Sequence, residues 1–200
     1  YIAEAFMAAH AADPEANLYY NDYNLYKPEK RAGAVAIVKD LQARGIPIHG
    51  VGIQGHYGLD NPPLEELEAT IVALAGLGVK VMITELDVSV LPFPDSDQWG
   101  ADLSTNFALS AELNPYVDGL PADVRIEQDN HYRALFAVFL KHRETLHRVT
   151  SWNLNDGTSW KNNWPVRGRT DYPVIFDREN NPKSTYRALI DLKLAYDEAP

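Results

Sequence analysis

The chain has 200 residues, of which 46% are hydrophobic and 23% are charged, as in ordinary globular proteins. A formal net charge of −10 argues against nucleic acid or an anionic membrane as the main partner, because both need a basic surface. The absence of cysteine excludes disulfide bonds and thiolate metal sites. No apolar run approaches the roughly 20 residues that cross a bilayer, and the first residues lack the basic and apolar segments of a signal peptide.

The first half of the chain predicts two strands among three helices. Apolar residues at helical spacing predict a first helix that ends at Asp13-Pro14, and a brief strand follows at 18–20. Pro28 suits the first turn of a second helix, and Gly45 its C-terminal end. A second strand is predicted at 51–53. The apolar faces of the three helices are Ile2, Ala5, Phe6 and Ala9; Val35, Val38 and Leu41; and Leu64, Leu67, Ile71 and Leu74.

The second half continues the alternation. A β-branched, apolar third strand at 79–84 leads directly into Glu85. An irregular segment from about 88 to 125, rich in Pro, Asp, Asn and Ser, has the length of a functional loop. A fourth strand is predicted at 149–152. Two helices are predicted around Tyr132, Leu135, Phe136, Phe139 and Leu140, and around Tyr186, Leu189, Ile190 and Leu194.

Strands that alternate with helices predict an α/β fold with a parallel sheet, either part of a (β/α)8 TIM barrel or a small doubly wound sheet. A doubly wound sheet gathers its ligands at one switch point, often with a glycine-rich phosphate loop, and no such motif is present. Here all four strands end in polar or aromatic residues, as in TIM barrels, whose active sites lie at the C-terminal strand ends. The pattern favours a barrel, but most complete barrels need about 250 residues.

Glu85 is the first candidate for chemistry, because an acid that follows an apolar strand is partly buried and needs partners. His56 ends the preceding strand, and Asp87 lies two residues further on, where an extended chain points it the same way as Glu85. Such a cluster would hold Glu85 ionised and oriented. The alternatives are a structural carboxylate at 85, a loop histidine at 56 and a turn-forming aspartate at 87.

Aromatic residues beside the strand ends give an independent signal. Sugar rings stack their C–H faces on aromatic side chains, and their hydroxyl groups need amides and carboxylates. A single tryptophan is more often part of a core, but several beside polar loop residues favour a carbohydrate cleft. The residues in question are Tyr23, Trp152, Trp160 and Trp164, with the amides of Asn21, Gln54 and Asn155.

These segments together resemble glycoside hydrolase family 10, the retaining endo-β-1,4-xylanases. The run 83–87, Ile-Thr-Glu-Leu-Asp, resembles the family's nucleophile signature. Residues 21–24, 52–56 and 152–160 resemble its strand-five, strand-six and strand-eight endings, and 1–14 resembles its fourth helix. The resemblance therefore implies the C-terminal half of a TIM barrel, about strands five to eight, as a single partial domain over residues 1–200.

The resemblance also implies roles for individual residues. Glu85 would be the nucleophile, with His56 and Asp87 bonded around it. Gln54 would contact the sugar at the point of cleavage, and Tyr23 would help to form the aglycone side. The remaining predicted substrate-binding residues are Asn21, Trp152, Asn155 and Trp160. No metal and no organic cofactor is expected, because carboxylates supply the chemistry.

The sequence departs from the family pattern at three points. Asn153 follows Trp152 where the family usually has glycine, and Asn155 stands where histidine or a small residue is common. More important, retaining hydrolysis needs a second carboxyl group about 5–5.5 Å from the nucleophile. The family's acid/base glutamate follows an asparagine on strand four, and no such pair ends a strand here. We therefore expect an N-terminal half of the barrel that is absent from this chain. It has been cleaved off, lies in a part of the protein that is not described, or is supplied as a separate polypeptide.

The main hypothesis is thus an endo-1,4-β-xylanase that acts on xylan or xylo-oligosaccharides and is active only with the N-terminal half. The alternatives are a non-catalytic xylan-binding barrel fragment and an unrelated, small doubly wound domain. By family resemblance the protein is expected to be bacterial and secreted or periplasmic. Neither nucleic acid nor a membrane is expected as a partner.

Overall fold

The computed structural model describes residues 1–94 and 107–198. Within them, helices and strands alternate in the predicted order. The helices are α1 (Ile2–Ala12), α2 (Pro28–Ala43), α3 (Leu64–Ala75), α4 (Ala122–Lys141) and α5 (Ser184–Glu198). The strands are β1 (Tyr19–Asp22), β2 (Gly50–Ile53), β3 (His56–Gly58), β4 (Lys80–Ser89) and β5 (Leu146–Ser151). None of the helices in these two ranges is long and apolar enough to span a membrane.

The described residues group into two compact units, each assembled from separate stretches of the chain. The first contains Tyr1–His56, Asn61–Leu86 and Val138–Thr150. The second is drawn from Tyr57–Asp60, Asp87–Ala137 and Ser151–Pro200. The prediction of a single partial domain over 1–200 remains a prediction.

In the first unit, β1, β2 and the start of β4 form a parallel sheet in which the first residues of the three strands are paired with one another. Tyr19 pairs with Gly50, which in turn pairs with Lys80. Three steps further, Asp22, Ile53 and Ile83 lie side by side. β5 also pairs with β4. β1 and β2 therefore end side by side, next to Ile83 of β4, and the residues around these ends come close together although β4 continues to Ser89.

The core of the first unit lies between this sheet and its helices. In α3 the spacing seen in the sequence produces the expected buried face of Leu67, Ile71 and Leu74. In α1 the predicted face was wrong in part, since Ala5 and Ala9 are exposed and Ala3 is the buried residue. In α2 the buried face is Ala34, Val38 and Leu41. The prediction of Val35 was therefore off by one position, because the smaller Ala34 takes the place closest to the core.

In the second unit, polar side chains fasten the end of β4 to the segment before α5. The backbone N–H of Val88 donates to the carbonyl of Pro173 at 2.9 Å. The buried Gln128 of α4 donates to the carbonyls of Val88 and Tyr172 at 2.9 and 2.7 Å. Tyr132 donates to the Pro173 carbonyl at 2.6 Å. These bonds satisfy backbone groups that no strand neighbour satisfies.

Several predicted boundaries were wrong, and one strand was missed. Asn21 and Asp22 lie within β1 instead of after it, and β4 continues past Glu85 to Ser89. The short strand β3, which pairs with β4, was not predicted. The predicted irregular segment ends earlier, because α4 begins at Ala122. Its part at 95–106 lies outside the described residues. Strand length depends on which backbone groups find partners, and periodicity alone does not report this.

Candidate active site

Glu85 lies in β4 with a hydrogen-bond donor on each carboxylate oxygen. Asn21 Nδ2 donates to Oε1 at 2.9 Å, and His56 Nε2 lies 3.1 Å from Oε2. The side chains of Glu85 and His56 are 15% and 14% exposed. A carboxylate held on both oxygens and still reachable from solvent is suited to nucleophilic attack.

The chain between β2 and β3 places His56 beside Glu85. The Glu85 N–H donates to the carbonyl of Gln54 at 2.7 Å. Gly55 then adopts φ +85°, and a Cβ there would lie 2.9 Å from Ile83 Cγ2. Only glycine fits this turn without strain. Because an ionised carboxylate can only accept, the Nε2 of His56 is the donor.

Tyr23, predicted to contact substrate, is held from two directions. Its N–H donates to Asp22 Oδ1 at 2.8 Å, and Lys30 Nζ lies 4.3 Å from the centre of its ring. Lys30 also forms an ion pair with Asp22 at 2.6 Å. The ring of Tyr23 is thus held by a cation–π contact that the sequence did not reveal.

Tyr20 also contacts Asp22, because its hydroxyl donates a hydrogen bond to that carboxylate. Burial is the larger cause and this hydrogen bond the next, and together they raise the pKa of Tyr20 well above its usual value.

Asp87 belongs to the second unit and is completely buried. Trp160 Nε1 donates to its Oδ2 at 2.8 Å, and Lys161 Nζ lies 3.8 Å from its Oδ1. Its position on β4, two residues after Glu85, agrees with the sequence analysis. The proposed bonding of Asp87 around Glu85 stays a prediction.

An aromatic cluster, defined here as Phe93, Trp160 and Trp164, surrounds the ammonium group of Lys161. The two tryptophan rings stack with centroids 4.9 Å apart, and Phe93 meets Trp164 edge-on at 5.7 Å. Lys161 Nζ lies 4.8 to 5.7 Å from the three ring centres and its residue is 2% exposed. Sequence analysis missed Lys161 and Phe93. Adjacency to Trp160 was the only signal for the lysine.

The residues after β5 differ in exposure. Trp152 is 41% exposed and available to a ligand. Asn153 adopts φ +103°, which explains why glycine is favoured at that position. Asn155 is 8% exposed; its Oδ1 accepts from Thr158 N–H and its Nδ2 donates to Asn180. Both ends of the Asn155 amide have a partner within the chain, and the predicted role of Asn155 in substrate binding stays a prediction.

Asp156 and Lys183 form an ion pair with little solvent exposure. Asp156 is fully buried, with Lys183 Nζ 3.2 Å from its Oδ2 and the Val174 N–H donating to its Oδ1 at 3.0 Å. Burial raises the pKa of Asp156 to about 6, because desolvation of the carboxylate outweighs the attraction of Lys183. Burial likewise lowers the pKa of Lys183. A carboxyl group enclosed this way supports the loop and is closed to a substrate.

Of the predicted residues, the structure thus brings Asn21, His56 and Glu85 together in the first unit. It brings Asp87 and Trp160 together in the second. Gln54 contributes its backbone to the position of Glu85, and its side chain is half-buried. Within 1–94 and 107–198, no group of three or more histidine or acidic side chains is placed to hold a metal ion.

Comparison with known proteins identifies the family of the chain. The family model described as "Glycosyl hydrolase family 10" matches residues 1–192. Endo-1,4-beta-xylanase A of Xylanibacter ruminicola is 44% identical over 192 residues, which are 96% of this chain and 52% of that protein. A solved endoxylanase of this family from a sugarcane soil metagenome is 45% identical, with a TM-score of 0.90 over 96% of this chain and 55% of its own. A mutant protein solved with xylotriose is 34% identical, with a TM-score of 0.78 over 95% and 53% of the two chains.

The fold is thus that of part of a (β/α)8 barrel. The chain belongs to glycosyl hydrolase family 10. It spans about half the length of the curated relatives that it matches. The predicted family and the predicted fold, the C-terminal half of a TIM barrel, are confirmed.

The ion pair of Asp156 predicts a pH dependence of stability. A carboxyl group whose pKa is raised on folding stabilises the folded state below its unfolded value of 3.8, and this stabilisation is lost as the pH rises through about 6. We expect wild type to lose about 2 kcal/mol relative to Asp156→Asn between pH 4 and pH 6. Urea unfolding of both proteins across this range measures the difference. Parallel curves would contradict the prediction.

Proposed function

We propose that the protein carrying this chain is a retaining endo-1,4-β-xylanase with Glu85 as its nucleophile. The observation that carries the proposal is the Glu85 carboxylate, held on both oxygens by Asn21 and His56 at the end of a parallel sheet. Family membership supports it, as do the relatives named xylanases and the relative solved with xylotriose. Xylan and xylo-oligosaccharides are therefore the proposed substrates.

The proposed reaction proceeds by double displacement. A Glu85 oxygen attacks the anomeric carbon as the bond to the leaving sugar oxygen breaks, and a glutamic acid outside this chain protonates that oxygen. The same glutamate then takes a proton from water, whose oxygen displaces Glu85 and releases the sugar. Neither step needs a metal or an organic cofactor.

The aromatic residues support a role in binding the sugar chain. Trp152 offers an exposed face, and Trp160 is oriented by its bond to Asp87. Tyr23 is held in place by Lys30 and Asp22. We propose that Trp152 and Trp160 line the glycone side, that Tyr23 contributes to the aglycone side and that Gln54 contacts the sugar at the point of cleavage.

We also propose that the rest of the barrel is a partner of this chain, either in the same polypeptide or as a separate one. The surface of α5 supports this proposal. Tyr186, Ile190 and Leu194 recur every fourth residue and are 38%, 45% and 55% exposed. Such a stripe on a helix is normally covered by other elements.

We infer that the protein is secreted or periplasmic. The matched relatives come from bacteria, including Xylanibacter ruminicola and Geobacillus stearothermophilus. Xylan is a polymer too large to enter a cell, so an enzyme that cuts its internal bonds works outside the cytoplasm.

The first test is Glu85→Ala in the full-length protein, assayed on xylan. We expect kcat to fall by at least about a thousandfold, because no other group can form the glycosyl-enzyme. Glu127→Ala, which removes an exposed carboxylate of α4, is the control and should retain activity. Proton NMR of the first sugar released should show a retained β-anomer. Activity of Glu85→Ala near wild type would end the assignment, and an inactive wild type that binds xylan would favour the non-catalytic alternative.

The second test concerns Trp152. On the inactive Glu85→Ala background, Trp152→Ala should weaken binding of xylohexaose about tenfold or more, because loss of a stacking face costs about 1–3 kcal/mol. Leu154→Ala is a matched control, since Leu154 is 72% exposed two residues away. Calorimetric titration measures both. Equal affinities would remove Trp152 from the proposed site.

The third test concerns the surface of α5. In the full-length protein, we expect Ile190→Ala to cost about 2–5 kcal/mol of stability, as for a buried residue. Val72→Ala on α3, where the side chain is 52% exposed, should change stability by less than about 0.5 kcal/mol. Urea unfolding compares the two. The intact mass of the purified protein shows whether about another half barrel accompanies these residues, and equal costs would leave α5 without a covering partner.

A further inference from the structure

The position of Glu85 depends on the orientation of an amide. The carboxylate of Glu85 only accepts hydrogen bonds, so Asn21 must present its NH2 group to Oε1. An amide turned the other way would place its carbonyl oxygen against the carboxylate. Asn21 is exposed, so burial does not fix its orientation. Something else must hold its carbonyl end.

Thr84 supplies this hold. Its hydroxyl donates to Asn21 Oδ1 at 2.7 Å, and it also lies 3.3 Å from the Ile53 carbonyl. A hydroxyl group that donates to Oδ1 stabilises the orientation in which Nδ2 faces Glu85. The contacts therefore run in one direction, from the Thr84 hydroxyl through the Asn21 amide to the Glu85 carboxylate.

Gly52 leaves the space that this arrangement occupies. A Cβ at Gly52 would lie 2.5 Å from Asn21 Oδ1 and 2.8 Å from Thr84 Cγ2. Both distances are shorter than real carbon contacts allow. The atom that would have to move first is the amide oxygen, at the end of a side chain.

We propose that Thr84 is a positioning residue for the nucleophile, acting through Asn21, and that Gly52 is required because any side chain there would displace the same amide. This inference rests on the proposed role of Glu85 as nucleophile. Thr84 does not touch the substrate. Its hydroxyl keeps the Asn21 amide donating to one carboxylate oxygen, so that Glu85 is already aimed when the sugar arrives.

The test isolates the nucleophilic step in the full-length protein. The probe is 2,4-dinitrophenyl 2-deoxy-2-fluoro-β-xylobioside, whose leaving group departs without a proton and whose fluorine slows release from the enzyme. Mass spectrometry of the labelled peptide identifies the residue attacked, and the released dinitrophenolate reports the rate. Attack can thus be measured separately from acid catalysis.

Thr84→Val keeps the shape of the side chain and removes the hydroxyl. We expect labelling at saturating probe to slow about tenfold, with little change in the probe concentration needed for half-maximal rate. Thr84→Ser restores the hydroxyl and should label within about twofold of wild type. Thr70→Val is the matched structural control, because the buried Thr70 hydroxyl donates to the Leu25 carbonyl at 2.8 Å. It should lower stability without slowing the labelling rate.

Gly52→Ala is a second variant that keeps the hydroxyl. It should slow labelling at saturating probe about tenfold or more by pushing the amide aside. Gly33→Ala in α2, where nothing lies within 4 Å of an added Cβ, should label at the wild-type rate.

The possible outcomes separate the two proposals. If wild type is not labelled at Glu85, the proposed function fails. If wild type is labelled there but folded Thr84→Val or folded Gly52→Ala reacts at the wild-type rate, only the role of Thr84 and Gly52 fails. Slow labelling of both variants, with recovery in Thr84→Ser, would support the inference.

Discussion

The in-register parallel pairing of β1, β2 and β4 is the constraint on which the nucleophile site depends. Because Asp22, Ile53 and Ile83 lie side by side, the residues next to them come together although they are 29 to 64 positions apart in sequence. A shift of one residue in any strand would move its side chains to the other face of the sheet. The geometry of Glu85, Asn21 and His56 therefore depends on the backbone hydrogen bonds of the sheet and on the apolar helix faces that pack in the core.

In the second unit, charged side chains with little solvent exposure fix the positions of their neighbours. Asp87, Lys161 and Asp156 are buried, the side chain of Lys183 is 9% exposed, and each has a partner of opposite charge within 4 Å. Ion pairs in such surroundings contribute little net stability, because desolvation offsets their attraction. They instead hold neighbouring side chains in position. Asp87 orients Trp160 through its indole N–H, and the ammonium of Lys161 lies within 6 Å of all three ring centres of the aromatic cluster.

Sequence reasoning was most accurate where the spacing of apolar residues along the chain decides the secondary structure. The helix over Leu64–Ala75 and the strand that leads into Glu85 follow from spacing and β-branching, because side chains must face one core. It failed where partners decide the outcome. The strand β3 is three residues long and has no period of its own, and the extension of β4 to Ser89 depends on distant groups such as Gln128.

The amino-acid sequence by itself determined the order of helices and strands, the family, and the candidates Glu85, His56 and Asn21. These follow from local patterns and short motifs that a linear chain displays. Only the tertiary structure decided which candidates share a contact, that the Asn155 amide has partners within the chain, and which groups Thr84 and Lys161 contact. The physical reason is that hydrogen bonds and cation–π contacts are satisfied by groups brought together through the sheet register and through loops, and these distances are not written in any local pattern.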